Sequence, residues 1–280
     1  MKRKRFLSTG TGNSNMRKIF LLLVAVAVCF CMTSEVVAQT VASGTTTGGC
    51  RWILTGTSDN YSLTISGTSA MGDYYSYSST PWYSYRTGIK TVDIQQGVTS
   101  IGYYAFYGCS NLTSVTIPDL VTSIGHYAFY GCSNLTSVTI PNLVKSIGLS
   151  AFSGCSKLTS LTIPNSVESI GNSAFRECVS LMSVTMPDFV KVIEDYTFYN
   201  CGSLISITIP DLVTSIGNSA FRECVSLTSV TIPDLVESIE ELAFFNCRRL
   251  TSITIPERTK SVGDRAFEGC ANLTSLTIGN

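Results

Sequence analysis

The chain is poor in what reactive chemistry needs. It has one histidine in 280 residues, its basic and acidic residues balance at 19 each, and its longest apolar run, residues 19–32, is 14 residues. The lone His126 cannot gather a His-rich metal site. It also sits in a variable surface column with Tyr103, Leu149, Asn172 and Asp195, a poor place for the base of a nucleophile triad. The carboxylate pairs Glu194-Asp195 and Glu240-Glu241 fall on outer loops and read as solvated charge. No enzyme, cofactor or metal site is therefore expected.

The 14-residue apolar run is well short of the ~20 residues that span a bilayer. Basic residues (Lys2, Arg3, Lys4, Arg5, Arg17, Lys18) precede it and Val36-Val37-Ala38 follows, so residues 1–38 read as an export signal. Cys29 and Cys31 follow Val28 and Phe30, not the small residue that precedes a lipid-modified cysteine, so no lipid anchor is read. No membrane span is expected once the signal is removed. The segment holds six of the 19 basic and one of the 19 acidic residues, which leaves 13 against 18, a net charge near −5. Without a basic run, nothing grips phosphates and no nucleic-acid partner is expected.

What is present is a repeat. The unit IGYYAFYGCSNLTSVTIPDLVTS begins at Ile101 and recurs every 23 residues, from Ile124 through Val262, without insertion or deletion. Phe106 to Phe267, Cys109 to Cys270 and Leu112 to Leu273 each hold one column throughout. A fixed period of this length signals a solenoid of stacked turns. Within a unit, Val115 and Ile117 alternate with Ser114 and Thr116, a short strand with one buried face, and Pro118 ends it. In the return half, Ala128, Phe129 and Cys132 are spaced i, i+1, i+4, which predicts one helical or 3₁₀ turn. Glu194 and Glu240 replace glycine in the Gly125 column, so that bend does not require positive φ. One unit buries too little to fold alone; stacking supplies the rest.

The expected fold class is an α/β solenoid, with short parallel strands on the concave side, short helical turns on the convex side and an N-terminal β cap. Residues 39–88 form a flexible lead-in (Gln39 to Gly48, rich in Thr, Ser and Gly) and then the cap, in which strands near Trp52 and Leu63 flank a polar turn at residues 57–60. Residues 89–280 form the solenoid: a half unit, 89–100, without its own helical turn, then eight full units from residue 101. The repeat keeps its pattern through the strand Leu273 to Ile278, beyond which a capping element with a polar outer face is expected.

The pattern I-G-x-x-A-F-x-x-C-x-x-L-x-x-V-x-I-P, over residues 89–280, resembles the BspA-type bacterial leucine-rich repeats. The lead-in is similar to the amino-terminal cap of the same proteins at Trp52, Leu54, Leu63, Pro81-Trp82 and Gly97-Val98. Where the general leucine-rich signature has Asn or Cys after the strand, this chain has Leu120 and Val121. The resemblance implies a secreted or cell-surface protein that binds a host matrix or plasma protein, or another cell.

Three features are candidates for function. The cysteine column lies at a spacing compatible with disulfides, but parallel thiols beside Phe and Leu read as small buried hydrophobes, and ligands in a line do not make a zinc site. The strand hydroxyls Ser114, Thr116, Ser137, Thr139, Ser160 and Thr162 form ruled columns, interrupted by Met182 and Ile205 in the neighbouring Thr column. They read either as ordinary solvent-facing strand residues or as a surface that docks a protein or a glycan. The aromatics crowd the first units; Tyr103 and Tyr107, at i and i+4 around buried Ala105-Phe106, are expected to face outward together with Tyr127 and Tyr130.

Overall fold

The structure, a computed structural model, describes residues 38–279. All of the expected export signal except Ala38 lies outside these residues. The described chain begins with three antiparallel strands, β1 (Thr40–Thr45), β2 (Arg51–Thr57) and β3 (Asn60–Ser66). The two-residue turn at Ser58-Asp59 is where the polar run placed it. The expected flexible lead-in is corrected: Thr40–Thr45 pairs along β2, so its β-branched residues find a ladder. Strand β3 then runs parallel to β4 (Ile89–Ile94), and β4 to β5 (Ser114–Thr116), which carries the N-terminal sheet into the repeats.

The half unit is also corrected. A 3₁₀ helix, Tyr83–Gly88, precedes β4. Trp82, fully buried, stacks on Phe106 at 6.0 Å and donates its Nε1–H to the Ala105 carbonyl at 2.8 Å. The phenylalanine column is thereby prolonged toward the N-terminus, with Trp52 and Tyr74 edge-on to Trp82.

From there the chain is a β-solenoid of about eight turns with almost no helix. Most turns contribute a strand whose Ser and Thr face outward and whose Val, Leu or Ile is buried in the core: β8 (Ser160–Thr162), β10 (Ser183–Thr185), β12 (Ser206–Thr208), β14 (Ser229–Thr231) and β16 (Ser252–Ile255); in the last, β18 (Ser275–Ile278), Leu276 and Ile278 are exposed. A second ladder, just before the glycine column, consists of two-residue strands: β6 (Ser123–Ile124), β7 (Ser146–Ile147), β9 (Ser169–Ile170), β11 (Val192–Ile193), β13 (Ser215–Ile216), β15 (Ser238–Ile239) and β17 (Ser261–Val262). Wherever strands of either ladder pair, the register is 23 residues, as in Ser183↔Ser206 and Ile216↔Ile239. Inside, the phenylalanine rings from Phe106 to Phe267 stack face to face at centroid spacings of 5.1 to 5.8 Å.

The helical turn expected of the return half does not form. Tyr104, Tyr127, Ser150, Ser173, Tyr196, Ser219, Leu242 and Arg265 have φ between 51° and 59°, and a second left-handed residue follows at the Gly108 column. A residue with positive φ stops a right-handed helix. Backbone N–H groups therefore alternate. The Ala128, Tyr130 and Cys132 amides close local turns three residues back, while those of Phe129 and Gly131 donate to Ala151 and Ser153 of the next unit at 2.7 and 2.8 Å. The result is a third ladder between turns rather than a helix within one.

Candidate functional site

The strand face presents the predicted hydroxyls as expected, with one difference. Leu135–Ile140 forms no strand, so the ladder is interrupted between β5 and β8. Its sequence matches residues 112–117 residue for residue, so the opening is set by its neighbours: β5 is held by β4 and β8 by β10. The interruption leaves a groove of about 680 Å³. Ser137, Thr139, Ser160, Thr162 and Thr185 line it with hydroxyls, Val138, Ile140 and Ile163 form its apolar floor, and Asn142 and Asn165 stand at its end. Four of the six predicted strand residues are thus brought together, while Ser114 and Thr116 lie on the face outside the groove. Met182 and Ile205, in adjacent turns of the same face, are about half exposed.

Tyr103, Tyr107, Tyr127 and Tyr130 are all half-buried, but they do not form one cluster. Tyr107 stacks on Tyr130 at 4.8 Å and 4°, and Tyr127 lies 6.0 Å from Tyr130. Their partner in the second row is Tyr104, stacked on Tyr127 at 4.9 Å, not Tyr103. Tyr103 instead packs on His126 at 4.4 Å, beside the glycine column. The cause is the left-handed residue between Tyr103 and Tyr107: without a helix, i and i+4 no longer share a face. Tyr77 extends the cluster against Tyr107, and Tyr83 sits beyond it under the Arg86 guanidinium at 3.9 Å. Burial, and then the neighbouring phenols, push the hydroxyls of Tyr107 and Tyr127 up from their ordinary value. In later turns the same faces carry an alternation of Arg176, Tyr199, Arg222, Phe245 and Arg265, each guanidinium 5.0 to 5.7 Å from a ring.

His126 serves the backbone: its Nδ1 accepts the Leu149 N–H at 2.8 Å. The cysteine column is equally occupied. The thiols from Cys132 to Cys270 each donate to the carbonyl of a phenylalanine 26 residues earlier, at 3.2 to 3.3 Å, as Cys132 does to Phe106. Burial pushes Cys109, Cys178 and Cys224 up to about 12, which removes the thiolate that reactivity needs. Among the described residues, no three His, Cys, Asp or Glu side chains gather at one point.

The repeat columns also hold a feature that site-by-site reading missed. Two residues after the prolines from Pro118 to Pro233, Leu120, Leu143, Phe189 and Leu212 stand 41 to 57 % exposed, with Leu235 half-buried; Ser166 breaks the row and Arg258 ends it. Here the second ladder is open too. Glu168 N–H bonds Lys145 O at 2.9 Å and Thr214 N–H bonds Lys191 O at 2.8 Å, but among the described residues Lys191 N–H makes no such bond to Glu168. At this junction Val192 replaces serine and Glu194 replaces glycine together; Glu240 alone leaves its ladder bond intact at 2.8 Å. The opening is a groove of about 590 Å³ over Asn165, Ile170, Val190 and Val192, with Phe189 and Leu212 beside it. Burial, and then Asp195, raise the Glu194 carboxyl.

Comparison with solved structures finds the same architecture. A leucine-rich repeat protein from Bacteroides ovatus superposes with a TM-score of 0.64 at 24 % identity, covering 88 % of this chain and 71 % of the other. A leucine rich cell surface protein from Faecalibacterium prausnitzii gives 0.58 at 28 % identity over 86 % and 77 % of the two chains. The leucine-rich repeat protein of T. pallidum gives 0.52 at 26 % over 70 % and 91 %. A search of curated proteins returned no match. The profile of the BspA type leucine rich repeat region matches residues 81–205 and 191–280, in six copies. Its first copy starts at Pro81, upstream of the residue 89 boundary read from the columns alone and in step with Trp82 as the first member of the aromatic stack. The chain belongs to the BspA-type leucine-rich repeat family.

Proposed function

We propose that this is an exported protein, secreted or held at the cell surface, that binds another protein through its strand face, taken as the concave side. The bound protein is a host matrix or plasma protein, or a component of another cell. The N-terminal strands β1–β3, with Trp52 and Trp82, serve as the cap that closes the core. The observation that carries the reading is the groove at the interrupted ladder, where Ser137, Thr139, Ser160 and Thr162 surround an apolar floor. Hydroxyls ringing an apolar centre is the arrangement of protein interfaces, with a polar rim around a drier core. The half-exposed pair Met182 and Ile205 on the same face favours a protein over a glycan, which would leave both uncovered. The second contact is the tyrosine cluster of Tyr104, Tyr107, Tyr127 and Tyr130, where stacked rings offer area with polar tips.

Alanine at Ser137, Thr139, Ser160 and Thr162 together is expected to weaken capture of immobilised matrix and plasma proteins by roughly tenfold or more, the scale of losing an interface centre. Capture unchanged by the quadruple variant would remove the strand face from the proposal. A glycan array is run beside it, and saturable binding there with none to proteins would favour glycan recognition by the same hydroxyls.

A further inference from the structure

The row of side chains that follows the prolines is self-complementary. It reads Leu120, Leu143, Ser166, Phe189, Leu212, Leu235, five large apolar residues with one small one at the third place. Phe189 is the most exposed of them, and the groove of about 590 Å³ lies beside it, over Asn165 and Glu168. We propose that this row is the interface for a second copy of the chain, packed antiparallel about a two-fold axis between the third and fourth turns.

That axis sets each Phe189 into the gap at the partner's Ser166. It lays Leu212 against the partner's Leu143 and Leu235 against the partner's Leu120, as an isologous contact requires. In the neighbouring column the central pair carries opposite charge, because Glu168 falls opposite the partner's Lys191. Glu168 is bonded to Lys145 at 3.1 Å, whereas Lys191 forms no ion pair among the described residues. In the dimer each Lys191 gains a carboxylate. A parallel arrangement would set phenylalanine on phenylalanine and serine on serine, so shape selects the antiparallel geometry. The row spans five steps of about 4.8 Å, roughly 24 Å. A contact of that length and a few side chains in width lies near the ~1,000 Å² floor of specific interfaces.

Sedimentation velocity of the full chain from about 1 to 100 µM tests the assignment. The expected result is a reversible shift from monomer to dimer. Phe189→Ser, which installs the residue the third turn already carries, and Ser166→Phe, which fills the gap, should each weaken dimerisation at least about tenfold. Lys191→Glu should weaken it in low salt more than in high salt. Far-UV circular dichroism confirms that each variant keeps its fold. A wild-type chain that stays monomeric at the highest concentration overturns the proposal, as does a dimer that none of the three substitutions disturbs. Capture of a different protein through Phe189 by a chain that does not dimerise overturns the choice of partner.

Discussion

At the residue scale the cysteines are the clearest case of a column that looks chemical and is structural. Each thiol of the column from Cys132 to Cys270 returns its hydrogen to a phenylalanine carbonyl. The ionised form is the one that burial penalises, so the folded thiols titrate above the ordinary 9.0, three of them at about 12. An unfolded chain loses those protons near 9 while the folded chain keeps them. The stabilisation is therefore whole below about pH 9 and is lost as pH rises toward about 12. The thermal midpoint should fall steeply across that window, and less steeply in Cys155→Ala. A flat midpoint up to pH 11 would mean the thiols are not buried as described. Left-handed residues are the opposite case. Tyr104, Ser150 and Leu242 give no sign in their side chains of a positive φ, because only four of the eight turns place glycine even at the second such position. That is why the return half read as a helix: the apolar spacing was real, and the backbone that produces it was not visible in it.

Elements in this protein are held by ladders, and the ladders are open at particular places. The strand ladder lapses at Leu135–Ile140 and between β14 and β16, and the second ladder at Lys191 to Glu194, yet at each junction the other two ladders remain closed. Amide exchange should report this directly. The Lys191 and Glu194 amides should exchange faster than their equivalents at Lys145, Gly148 and Thr214, and the amides of residues 137–139 faster than those of Ser183–Thr185. Uniform protection along each column would contradict the openings and both grooves with them. The strands, their outward hydroxyls and the core residues were legible because period two and period 23 coincide there. The groove at Ser137 was not, because its segment is identical to the one before it and differs only in what pairs with it. The opening at Lys191 left a trace, since Val192 and Glu194 depart from two columns at once. Tyr103 stands apart from the stacked tyrosines because helical spacing does not hold across a left-handed residue, and the row from Leu120 to Leu235 was present as a column but had no partner to suggest its use.

For the molecule as a whole, one turn is not a folding unit; it becomes one by lying in register on the next. Every column, whether the stacked phenylalanines, the thiols, the strand hydroxyls or the apolar row, depends on a period of 23 kept without a slip. Stability of such an array is approximately a sum of turns and of the contacts between neighbours, so removing a whole turn is tolerated while a shift of one residue is not. A one-residue slip also turns every strand side chain to the opposite face. The direct measurement is thermal unfolding, by far-UV circular dichroism, of two internal deletions: residues 193–215, one complete turn, and residues 193–214, one residue fewer. The first should unfold in a single cooperative transition close to that of the intact chain, and the second should have none. If the two deletions behaved alike, the register of stacked turns would not be what holds this protein together.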